Sequence, residues 1–118
     1  MIYPATNQYI DLAYNALLNG DVIVYPTDTL YGFGVDATNT EAIQKLNRLK
    51  GRVQPLSIII ESINKINEYA KIKTSLLNDL KNFLPGKYTA LLISNNNNLS
   101  KLIQNGSPKI GLRIPDHF

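Results

Sequence analysis

The sequence predicts one α/β domain whose twisted sheet, mixed or mostly parallel, is flanked by helices. Three observations carry that expectation. Short runs rich in β-branched residues alternate with segments of helical period along the chain. The 118 residues suit a single core, so residues 1–118 are read as one domain. A composition of 44% hydrophobic and 18% charged residues is that of a folding chain rather than a disordered one.

The elements follow in order. Ile10, Ala13, Tyr14 and Leu17 recur at helical spacing before Gly20, which predicts an amphipathic helix over residues 8–19. Val22 to Tyr25 is a short apolar run stopped by Pro26 and reads as a buried strand. Thr40 is the expected cap of a second helix through Ile43, Leu46 and Leu49, closed by Gly51. Leu56 to Ile60 is the next strand, apolar on both faces as in a sheet covered on both sides. Ser62 is placed to cap a short helix through Ile63, Ile66 and Tyr69. Another helix spans Leu76, Leu77, Leu80 and Leu84 and ends at Pro85-Gly86. Tyr88 to Ser94 and Lys109 to Ile114 are the third and fourth strands, separated by an Asn95 to Asn98 loop and a helical turn at Leu99, Leu102 and Ile103.

Composition narrows the chemistry. With no Cys there is no thiol nucleophile, disulfide or thiolate metal site. The one His, His117, rules out a His-based triad or a multi-histidine metal cage. No side chain is therefore assigned as nucleophile or general base, and no protein metal site is expected. The chain has no 18-residue apolar run, and its amino terminus lacks the pattern of a secretory signal, so a cytoplasmic, membrane-free protein is expected. A net charge of +3 is a mild basic bias, compatible with anionic ligands.

The densest polar stretch runs from Tyr25 to Asp36, beginning at the carboxyl end of a strand, where open α/β sheets bind ligands. Thr27, Thr29 and Tyr31 offer hydroxyls there. Gly32 and Gly34 permit close approach of backbone amides to a ligand, or positive φ. Gly32, Gly34 and Ala37 also fit G-x-G-x-x-A, with Glu61 downstream. Six residues, Pro26 to Tyr31, separate that motif from its strand, which argues against a dinucleotide site. Lys50 and Arg52 flank Gly51 and could clamp phosphates or simply complement a helix carboxyl end. Arg113 sits in an apolar strand and needs solvent or an anionic partner, either a ligand carboxylate or an edge-strand salt bridge. Thr89, at a strand entrance, could line the same pocket.

Four segments in order carry a resemblance: VIVYPTDTLYGFGVDATN (22–39), LNRLKGRVQPLSIII (46–60), LPGKYTALLI (84–93) and IGLRIPDH (110–117). Together they resemble the YrdC-like family of threonylcarbamoyl-AMP synthases (L-threonylcarbamoyladenylate synthases). These are nucleotidyltransferases of tRNA threonylcarbamoyladenosine synthesis. The resemblance implies condensation of L-threonine, bicarbonate and ATP to threonylcarbamoyl-AMP and pyrophosphate, with Mg²⁺ accompanying ATP. It places Thr29 and Arg113 on threonine, and Lys50, Arg52 and, more loosely, Gln54 on ATP. Thr27, Tyr31, Gly32, Gly34 and Thr89 would line the pocket. Ile59 stands where some members place a His near threonine.

The family's S-x-N motif does not occur in these 118 residues. The chain therefore resembles the amino-terminal two-thirds of a domain, with the carboxyl-terminal part missing. Three expectations follow: an enzyme that truncation could inactivate, an uncovered apolar surface, and a homo-oligomer. Two other readings stay open: a non-catalytic module binding tRNA or double-stranded RNA, and a carbamoyl-transfer domain of the hydrogenase-maturation type.

Overall fold

A computed structural model describes residues 9–26, 31–86, 88–95 and 97–115, with the side chains of Pro26 and Tyr31 left aside. Helix α1 spans Ile10–Leu18 and is followed by a hairpin of β1 (Ile23–Pro26) and β2 (Tyr31–Gly34). Helix α2 (Thr40–Lys50) leads to β3 (Ser57–Ile59), a 3₁₀ segment (Ile63–Glu68) and the two-residue β4 (Ala70–Lys71). Helix α3 (Thr74–Leu80), β5 (Thr89–Ser94), a 3₁₀ turn (Lys101–Ile103) and β6 (Lys109–Arg113) complete the described chain.

The four-stranded sheet has the order β3-β6-β5-β4. Strand β6 is parallel to β3 and antiparallel to β5, and β4 is antiparallel to β5. The sheet is therefore mixed, with one parallel pair among the described residues. Ile58, Ala90, Leu92, Ile110, Leu112 and Ile114 form its buried face, packed with Ile43 of α2 and Ile66 and Ile103 of the 3₁₀ segments. Leu77 and Leu80 of α3 pack against this cluster.

The opposite face is open. Along β5 burial alternates residue by residue, with Leu92 buried while Leu91 is 64% exposed. Ile59 faces outward beside the buried Ile58. The two-sided coverage read from Leu56 to Ile60 is thus corrected: period-two burial makes this a sheet with one core face. The first strand is corrected too. Among the described residues it pairs only with β2, and Val24 is exposed opposite the exposed Phe33.

Local chemistry explains the α2 boundaries. The Asn39 side chain accepts from the Ala42 amide at 3.0 Å, so the cap is Asn39 and Thr40 is already helical. Gly51 closes the helix with φ 71°, the left-handed turn that glycine adopts without a Cβ clash. The Thr40 and Ser100 hydroxyls lie 2.7 Å apart, joining the start of α2 to the last 3₁₀ turn. Ser62 makes no side-chain capping bond, unlike the expectation, and the segment it precedes is 3₁₀.

Candidate functional site

Strand β6 lies between β3 and β5, so Arg113 belongs to an interior strand and an edge-strand salt bridge does not describe it. Its register partners are Ile59 on β3 and Thr89 on β5. The half-buried Arg113 therefore lies at the carboxyl end of the parallel pair, beside the exposed Thr89. A guanidinium there offers a planar donor fork suited to a carboxylate or phosphate.

The hairpin adds an aromatic hydroxyl. Ile23 and Tyr25 stand opposite Gly34 and Gly32. A Cβ at Gly34 would lie 2.7 Å from Tyr25 Cε1, and one at Gly32 would lie 3.7 Å from both Cζ and the hydroxyl. Both glycines have ordinary φ; their role is to leave space for the Tyr25 ring rather than to reach positive φ. Burial pushes the Tyr25 pKa up from its ordinary value, and the positive charge of Arg113 pulls the other way.

A pH effect follows. The folded phenol keeps its proton at pH values where the unfolded one ionises, so this contribution is whole below the unfolded pKa of about 10 and is lost as pH rises through the folded pKa. Urea midpoints taken from about pH 8 to about pH 11 are expected to fall at the alkaline end, and Tyr25→Phe to flatten that fall.

A second cluster gathers at the end of α2. Gln44, Asn47, Arg48, Gly51, Arg52, Val53 and Leu102 line a cleft of about 550 Å³. Arg48, Lys50 and Arg52 are exposed, and none forms an ion pair among the described residues. Gln54 is half-buried in the following loop. Thr89 borders a separate apolar hollow of about 240 Å³ with Leu80, Phe83, Leu84, Tyr88 and Ala90. Phe83 and Tyr88 meet there edge to face, with ring centres 5.6 Å apart.

The expected residues thus fall into two groups. Arg113 and Thr89 are brought together, with Tyr25 within electrostatic reach of Arg113. Lys50 and Arg52 stand at the α2 end, and neither Arg113 nor Thr89 lines the cleft there. Thr27 and Thr29 lie outside the described residues, as does the side chain of Tyr31. The sequence reading passed over Tyr25 and Ser57. Strand pairing sets each of them across a glycine, and no sequence pattern shows that.

A mixed sheet with one open face, a cation at a strand carboxyl end and a second basic cluster define an α/β domain with two basic regions on its surface. Residues 15–118 match the model of the Sua5/YciO/YrdC family, described as telomere recombination, and the chain belongs to that family. It is 36% identical over 102 residues to threonylcarbamoyl-AMP synthase of Homo sapiens, covering 83% of this chain and 35% of the relative. A putative threonylcarbamoyl-AMP synthase of Methanocaldococcus jannaschii is 33% identical over 102 residues, covering 85% of this chain and 48% of the relative. The crystal structure of P. abyssi Sua5 complexed with L-threonine superposes with a TM-score of 0.86 at 29% identity, covering 95% of this chain and 34% of that one. The chain spans about a third of the length of the first of these curated relatives.

Proposed function

We propose that this domain serves an L-threonylcarbamoyladenylate synthase, a nucleotidyltransferase of tRNA threonylcarbamoyladenosine synthesis working in the cytoplasm. The observation that carries the reading is Arg113 at the carboxyl end of β6, flanked by Thr89 and with its charge felt by the Tyr25 phenol, within the family's fold. Arg113 would pair with the threonine carboxylate, and Thr29 would contact the same substrate. Lys50 and Arg52, with Gln54 nearby, would receive the ATP phosphates. The threonine amine adds to CO₂ with loss of a proton, or to bicarbonate with loss of water, and a carbamate forms. The carbamate oxygen then attacks the α-phosphate, and pyrophosphate leaves. The residues contribute position and charge neutralisation, with no side-chain nucleophile. Mg²⁺ would enter on the ATP phosphates, the usual mode for that ion.

Arg52 gives the first test. Arg52→Ala removes charge-assisted hydrogen bonds worth about 1.5–3 kcal/mol each, so ATP affinity by calorimetry should drop about ten- to a hundredfold. Unchanged affinity would remove Arg52 from the phosphate site.

A second reading has its own observation. Residues 42–60 contain Lys45, Arg48, Lys50 and Arg52 and no acidic residue, a local charge that also suits an RNA backbone. Binding of double-stranded RNA or tRNA that weakens steeply with salt and ignores threonine would favour a non-catalytic module. Self-association belongs to the same proposal, because exposed Val24 and Phe33 on the hairpin leave apolar surface for a second copy.

A further inference from the structure

Ser57 lies on the open face of β3, with Gly111 of β6 as its register partner. Gly111 is buried because its neighbours lean across it. A Cβ added there would stand 2.7 Å from Ser57 Oγ and 3.3 Å from Thr89 Cγ2. A hydroxyl and a methyl thus face one another over a glycine. Among the described residues nothing hydrogen-bonds the Ser57 hydroxyl, which can both donate and accept.

Arg113 is two residues along β6 from Gly111 on the same face, a separation of about 6.7 Å. A ligand carboxylate on the guanidinium and a ligand hydroxyl on Ser57 would each use a hydrogen bond of about 2.8 Å. The carboxylate and β-hydroxyl of an α-amino acid are only a few bonds apart, so groups two positions apart on one sheet face can share one such ligand. The Thr89 methyl offers apolar surface on the other side of the notch. One wall suits a β-hydroxyl and the other a methyl.

We propose that Ser57 is a specificity-determining contact, its hydroxyl bonding the β-hydroxyl of a β-hydroxy-α-amino acid whose carboxylate rests on Arg113. The assignment rests on the threonine reading above and adds the residue that separates threonine from amino acids of similar shape. Valine fits the methyl wall and leaves Ser57 without a ligand hydrogen bond. Serine keeps the hydrogen bond and loses the methyl contact.

Calorimetric titrations of L-threonine, L-serine and L-valine into the unmodified chain, Ser57→Ala and Gly111→Ala test this. Ser57→Ala is expected to weaken threonine and serine about three- to tenfold and leave valine unchanged. Gly111→Ala is expected to weaken threonine and serine at least as much, because its Cβ displaces a serine hydroxyl that is still present and crowds the Thr89 methyl. Threonine preference over valine that survives Ser57→Ala overturns the Ser57 assignment and leaves the threonine site standing. No threonine binding by the unmodified chain overturns the threonine reading itself, and the Ser57 assignment with it.

Discussion

Replacing Arg113 with alanine is expected to reduce threonine affinity by at least about a hundredfold, since a carboxylate loses two charge-assisted hydrogen bonds of about 1.5–3 kcal/mol each. Position makes the effect large. Arg113 is half-buried on an interior strand, with Thr89 and Ile59 as its lateral neighbours, so no mobile surface lysine lies in register to replace it. Arg113→Lys separates charge from shape. It retains the positive charge, loses the planar fork, and should recover only part of the affinity. Calorimetry with L-threonine reads both variants, and thermal melts confirm that each is folded. Equal binding by Arg113→Ala and the unmodified chain would mean that the carboxylate sits elsewhere.

The largest stability effect is expected at Leu112, one residue away on the other face of β6. Leu112 is 0% exposed and belongs to the cluster shared by the sheet and the helices. Leu112→Ala removes buried methyl groups and leaves a cavity, costing about 2–5 kcal/mol and lowering Tm by on the order of 10 °C. Leu91→Ala is the matched control: the same chemical change in the neighbouring strand, at a residue 64% exposed. It should shift Tm by no more than about 2 °C, consistent with about 0.5 kcal/mol for a surface change. Similar losses from both variants would show that the open face is covered in solution.

Helix α2 was legible in the sequence because periodicity, an Asn-Thr start and a closing glycine all agree, although the cap fell one residue earlier than expected. Strands β5 and β6 were legible for a related reason: each is a short, largely apolar run bounded by turn residues. The hairpin was not. Tyr31–Gly34 reads Y-G-F-G, and two glycines in four residues hide a strand whose reason is space for the Tyr25 ring. The two-residue β4 is too short to leave a pattern.

Coverage of the sheet misled because Ile59 and Leu91 are apolar and yet face outward. Arg113 was legible as a cation stranded among apolar residues. Ser57 was not legible, since its meaning depends on register: only the alignment of β3 on β6 sets it across Gly111 and beside Thr89. Single residues show their chemistry in sequence, while juxtapositions made by strand pairing do not.

The activity proposed for this domain is threonine-dependent adenylate formation. Its most direct test is pyrophosphate release from ATP with Mg²⁺ and bicarbonate, comparing L-threonine with L-alanine. Release that requires threonine and disappears in Arg113→Ala is the predicted result. Release with alanine equal to that with threonine, or no release with either at saturating ATP, would contradict it and leave the chain as a binding module on the same fold.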